Sequence, residues 1–164
     1  MTGLVAARTL SLQLIAVLFL LTMLPMAAAI AVQSEGPPDL ARYVGLYPWD
    51  RVSGVRFMDH PLVRRAVRNA APNGAIVDQI FEDATAGEIV VNGMLVLASG
   101  CQPHYCSMHN WSIVIGRRAQ AHFICYKPDG QRARWYRRHR VVASGETCPF
   151  EASDVPPEVL TQLY

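Results

Sequence analysis

Two cysteines and two histidines fall within nine residues of this 164-residue chain, in the run Cys101-Gln102-Pro103-His104-Tyr105-Cys106 and, just past it, His109. Those types at that spacing support three chemistries. The thiols could pair and close a short loop. Cys101, His104, Cys106 and His109 could ligate zinc, whose ligand types these are. A cysteine beside a histidine could also act as an activated nucleophile.

The other cysteines and the N-terminus favour the first. The chain has four cysteines, Cys101, Cys106, Cys125 and Cys148. They follow an N-terminal segment that reads as an export signal. Thr9 to Met26 is almost continuously apolar, Arg8 is its only preceding charge, and the small residues Ala27, Ala28, Ala29 and Ala31 offer an Ala-x-Ala cleavage site. The rival is an uncleaved anchor in the inner membrane, facing the periplasm, because the run is near the lower limit for spanning a bilayer. An even cysteine count in an exported chain implies disulfides. Of the three pairings, Cys101–Cys106 with Cys125–Cys148 is expected: the first two share one loop and the last two flank a strand pair. The zinc spacing is cramped, and paired thiols leave no thiolate for catalysis. No G-x-S-x-G, H-E-x-x-H or P-loop is present. No metal, cofactor or enzymatic activity is expected.

A disulfide closing so few residues removes only about 2 kcal/mol of unfolded-chain entropy. Its larger effect is on shape. Pro103 fixes one φ angle and Gly100 frees the approach. The result is a stiff knuckle with His104 near its tip, and a rigid loop loses less entropy on binding than a floppy one.

The elements that must carry this knuckle follow from the pattern around it. Residues 1–31 are expected as signal peptide, 32–42 as linker (Ser34, Gly36, Pro37, Pro38) and 43–164 as a single α+β domain. About 133 residues then remain, enough to bury roughly two-thirds of the unfolded surface. Tyr43 to Phe57 is aromatic and Gly-punctuated, irregular or a short strand. Asp59-His60-Pro61 opens a helix with Asp59 as cap, and Leu62, Val63, Ala66, Val67 and Ala70 share one face opposite Arg64, Arg65 and Arg68. Pro72-Asn73-Gly74 ends it, and Ala75 to Phe81 is a second short helix or an extended segment. From Glu88 the period changes to strands. Asn92-Gly93 predicts a tight hairpin turn leading into the loop. Further strands are expected at Trp111–Ile115, Ala121–Tyr126 and Arg132–Tyr136, with turns at Gly116–Gln120 and Pro128-Asp129-Gly130, and a short C-terminal helix after Asp154. This order predicts an antiparallel sheet of about five strands with a helix packed on one face and the disulfide-closed loop protruding. A homodimer would cover exposed sheet edges.

Charge is nearly balanced, +2 overall, but its basic residues are fourteen arginines and one lysine, Lys127. Arg132, Arg134, Arg137, Arg138, His139 and Arg140 surround Trp135 and Tyr136. Such a mix can bind nucleic acid or anionic lipid. A solvated hairpin with outward arginines explains it more simply, and export argues against nucleic acid. Asn110-Trp111-Ser112 has the form of a glycosylation sequon without implied use, and Trp111 suits a core position.

At the loop the chain resembles the periplasmic inhibitor of vertebrate lysozyme (Ivy) family, which carries Cys-Lys-Pro-His-Asp-Cys. Here Gln102 stands for the Lys and Tyr105 for the Asp. The export signal, the upstream helix, the hairpin into the loop and the strands after it agree, over about Tyr43 to Tyr136. The resemblance implies a periplasmic inhibitor of a c-type lysozyme or related muramidase, protecting peptidoglycan. In the family the loop enters the enzyme cleft and its His meets the two catalytic carboxylates, one protonated and one ionised. His104 is then the plug, donating from one ring nitrogen and accepting at the other. Cys101, Pro103 and Cys106 hold it, and Gln102 and Tyr105 make rim contacts, Tyr105 by stacking in a sugar-binding cleft. The alternative is a non-inhibitory envelope protein that binds peptidoglycan, an endogenous lytic enzyme or an anionic polymer. Contact with membrane is implied only through the signal segment.

Overall fold

The computed structural model describes residues 40–83, 85–93, 95–116 and 121–163. The expected signal peptide, nearly all of the linker and residues 117–120 of the expected turn lie outside them. No helix among the described residues is long and apolar enough to cross a membrane.

Among the described residues the core begins with Leu40. A 3-10 turn, Leu40–Tyr43, buries Leu40 and Tyr43 completely, so the last residues assigned to the linker already belong to the domain. Two short strands, β1 (Arg51–Val52) and β2 (Val55–Arg56), make a small hairpin. Helix α1 spans Pro61–Ala70. Its cap is His60, whose Nδ1 accepts from the Leu62 N–H at 3.3 Å, and not Asp59. Asp59 is drawn instead to Arg64, at 2.9 Å. An imidazole that accepts must be neutral, and burial, then Arg42, pushes the His60 pKa down. Val63, Ala66, Val67 and Ala70 face inward, while Arg65 and Arg68 are exposed. Asn73 caps α2 (Gly74–Glu82), so the segment with two readings is helical, with Ile80 as its buried anchor.

Among the described residues the sheet has seven strands, more than the five or so expected. They are β3 (Thr85–Ala86), β4 (Val90–Asn92), β5 (Leu95–Cys101), β6 (Asn110–Gly116), β7 (His122–Lys127), β8 (Ala133–Arg137) and β9 (Arg140–Gly145). All pair antiparallel in the order β3-β5-β6-β7-β8-β9, with β4 also on β5. The additional members are the short β3 on one flank and β9 on the other, β4 being the first arm of the expected hairpin. Asn92 pairs with Leu95, so the tight turn lies one residue later than Asn92-Gly93 suggests.

Both sheet faces are covered. On one, Val96, Ala98, Trp111, Ile113, Ile115, Ile124, Tyr126 and Tyr136 pack with α1, α2 and the N-terminal segment. On the other, Leu97, Val114, Phe123, Cys125 and Trp135 pack under the chain that follows β9. That cover includes Cys148, Val155 and Val159, the last in the short helix α3 (Pro157–Leu160). Cys125–Cys148 therefore joins β7 to the cover. Double coverage explains why β5 and β6 read as apolar runs without alternation. Among the described residues, both hydrophobic clusters and both disulfides lie from Leu40 onward.

Candidate functional site

Strand β5 ends at Cys101 and β6 begins at its partner, Asn110. The connection between them is the cysteine loop, and Cys101 and Cys106 are disulfide-bonded. The approach is tight because Trp111 lies across Gly100: a Cβ there would overlap the indole and crowd the Thr85 carbonyl. Glycine at 100 is thus required by packing rather than by backbone freedom.

The tip is a β-turn. The Tyr105 N–H donates to the Gln102 carbonyl at 3.0 Å. Pro103 holds the second position and His104 the third, with φ of 68°. Positive φ at that position is the type II arrangement, in which glycine is preferred. An L-residue there costs about 1–2 kcal/mol. The chain keeps an imidazole where stability favours glycine. Pro103, His104, Tyr105, Ser107 and Met108 are all exposed, with Tyr105 at 52% and Met108 at 47% among the most exposed large apolar side chains. Gln102 is half-buried and Cys101 buried at the base.

The base of the loop is fastened by two residues, His109 and Asn110. His109 donates its N–H to the Tyr105 carbonyl at 2.7 Å and accepts from the Gln102 N–H at 3.4 Å. Its ring, buried, sits between Asp83 at the end of α2 (Nε2 to Oδ2, 3.7 Å) and Asp129 in the β7–β8 turn (Nδ1 to Oδ1, 3.4 Å). Its edge meets Tyr126 at 5.3 Å. Gln79 donates to the other Asp83 oxygen at 3.1 Å. Burial first, then Asp83, Asp129 and Tyr136, raises the Tyr126 pKa, so the phenol stays protonated. Asn110 is the second fastening. Its amide donates to the Cys106 carbonyl and the Thr147 hydroxyl, both at 2.7 Å, and its oxygen accepts from the Cys148 N–H at 3.1 Å. The loop is thereby tied to the second disulfide. Ser112 continues the tie by donating to the Pro149 carbonyl.

The structure thus separates the residues once grouped as metal ligands. The sulfurs of Cys101 and Cys106 are bonded to each other, His104 is exposed on the tip, and the His109 ring is buried beneath it. Asn110 is buried at 1% with its amide engaged, so the sequon is not presented to solvent. Trp111 is core, as its type suggested. Sequence alone does not mark Asp83, Asp129 and Asn110 as site residues, because His109 for the two aspartates, and Thr147 and Cys148 for Asn110, are distant in sequence. The one local hint is that Asn110, a poor strand former, opens a strand.

The site is a rigid, exposed, hydrogen-bonding and aromatic knuckle on a fixed base. The His104 imidazole at its tip is open to water. Comparisons of the chain with protein-family models, with curated proteins and with solved structures give no match.

Proposed function

We propose that this protein is a periplasmic inhibitor of a c-type lysozyme or related muramidase that acts by occlusion. The observation that carries the reading is His104, held with left-handed backbone at the apex of a disulfide-closed turn. The loop enters the cleft between the two catalytic carboxylates. His104 donates to the ionised group and accepts from the protonated one. Tyr105 and Met108 supply apolar contact on either side, in a cleft built to stack sugars. Binding is favoured because little loop entropy remains to be lost.

The position of the β8–β9 turn supports this reading, while of the arginines nearer the loop Arg132 is paired with Glu146 and Arg134 is exposed. Lysozymes are often basic, so an arginine-rich inhibitor surface would oppose docking if it lay beside the loop. The β8–β9 turn, with Arg137, Arg138 and Arg140, lies at the opposite end of the strands from the Cys101–Asn110 end. Seven residues of β5 separate the two ends, roughly 20 Å at strand rise. The test is inhibition of cell-wall lysis by the chain cleaved after Ala31, across a panel of c-type lysozymes. The wild type should inhibit and His104→Ala should not. Equal inertness of both across the panel would end the proposal.

A further inference from the structure

We propose that the arginine-lined end of the sheet, opposite the loop, binds an extended phosphate-bearing polymer. This stands independently of the lysozyme reading. The observation is a juxtaposition absent from the sequence order. The β8–β9 turn docks on the C-terminus of α1, where the His139 N–H donates to the Ala70 carbonyl at 3.0 Å and its ring bonds the Ala71 carbonyl. Docking brings the turn that carries Arg138 and Arg140 against the helix that carries Arg65 and Arg68. All four are exposed, and among the described residues none has a carboxylate within ion-pairing distance. His122 lies between the two elements: burial first, then Arg137 and Arg138 from the turn and Arg65 from α1, lowers its pKa.

The space between these cations has a shape. Three shallow hollows lie at this end, two along α1 and one on the other side of the β8–β9 hairpin. The first, ≈ 490 Å³, is walled by Arg64, Arg65 and Arg68. The second, ≈ 380 Å³, shares Arg68 and reaches His139. The third, ≈ 450 Å³, is walled by Arg137, Arg138 and Arg140 over Val142. Asp59, already paired with Arg64, and Asp78 are the acidic residues on these walls. A track that bends around a hairpin end suits a flexible linear polyanion better than a flat bilayer. In the third hollow Arg137 donates to Gln162 at 3.0 Å and stacks over Phe123, which leaves Arg138 and Arg140 exposed there. Two such forks suit phosphate, whose several oxygens accept from more than one arginine. Nucleobases find no stacking platform, because Trp135 and Tyr136 are buried. The backbone of the turn supports a functional role for its side chains: Arg138 and His139 both have positive φ, 47° and 66°, where Asn-Gly is preferred.

The test uses the chain cleaved after Ala31, which retains both hydrophobic clusters and both disulfides, with inorganic polyphosphate as probe. Polyphosphate should bind with affinity falling steeply as salt rises. Arg138→Asn removes one cation while supplying a residue that tolerates left-handed backbone. Its melting temperature should hold or rise while affinity falls about five-fold. Adding Arg140→Gln should bring the loss to about twenty-five-fold, and Arg138→Lys with Arg140→Lys should recover part of it. The proposal is overturned by unchanged affinity in the Arg138→Asn/Arg140→Gln protein. It is equally overturned if polyglutamate of matched charge, an oligonucleotide or anionic phosphatidylglycerol vesicles bind more tightly than polyphosphate.

Discussion

Replacing His104 with glycine separates the two roles a tip residue can have. His104 sits at φ 68°, a conformation that costs an L-residue about 1–2 kcal/mol and glycine almost nothing. Glycine gives back about 0.5–1 kcal/mol through its freer unfolded chain. The imidazole is exposed, so little packing is lost. The net is a stability gain of about 0.5–1 kcal/mol, or about 2–4 °C in melting temperature for a domain of this size. Inhibition should move the other way. Loss of a central hydrogen-bonding anchor weakens an interface by about 2 kcal/mol or more, which is about thirty-fold in Kd. The assays are thermal unfolding by circular dichroism and lysozyme inhibition titrated on cell-wall suspensions. His104→Asn, which tolerates the same φ, gives the intermediate case. A clear fall in melting temperature for His104→Gly would show that the imidazole holds the loop together. Full retention of inhibition would show that it is not the plug.

Removing Cys125–Cys148, which closes the longer loop (sequence separation 23), should cost about 3 kcal/mol of stability and spare inhibition. Cys101→Ala/Cys106→Ala should cost about 2 kcal/mol and abolish inhibition, both by denaturant titration and lysis assay. Asn110→Ala leaves the Cys148 N–H and the Cys106 carbonyl without their partner and should destabilise by about 2–4 kcal/mol, read by urea unfolding. Stability should fall on acidification. His60 and His122 have pKa values lowered in the folded state, so below about 6.5 the unfolded chain takes up protons first. Their stabilisation is complete above that pH and declines as pH drops toward the folded values. His122→Gln should flatten the melting-temperature profile between about pH 7 and pH 5.

Much of the fold was legible because its signals are local. Pro61 and the spacing of Val63, Ala66, Val67 and Ala70 mark α1, and the turn residues Gly93 and Asp129-Gly130 punctuate the strands. The knuckle was legible because Cys101, Pro103 and Cys106 lie together. The cap of α1 was misassigned to Asp59 because aspartate caps well in general, whereas here Arg64 competes for it and leaves His60 to do the work. The second cover of the sheet was not legible. The expected Cys125–Cys148 pairing brings Cys148 to β7, but nothing near Val155 or Val159 says that they lie on Phe123 and Trp135. The same holds for the base of the loop, where Asp83, His109 and Asp129 meet from three elements. It holds too for the arginine track, where α1 and the β8–β9 turn are about seventy residues apart in sequence. The arginines that read as an ordinary solvated hairpin gain meaning only from docking on α1.

The central claim is that the loop fills a muramidase cleft, and one measurement reaches it most directly. The chain cleaved after Ala31 is titrated against a c-type lysozyme with a chitin oligosaccharide as competitor for the cleft. Lysis should fall in proportion to added protein, and the oligosaccharide should displace the inhibitor, with His104→Ala inert under the same conditions. Undiminished lysis across a lysozyme panel, or binding indifferent to the oligosaccharide, would contradict the account.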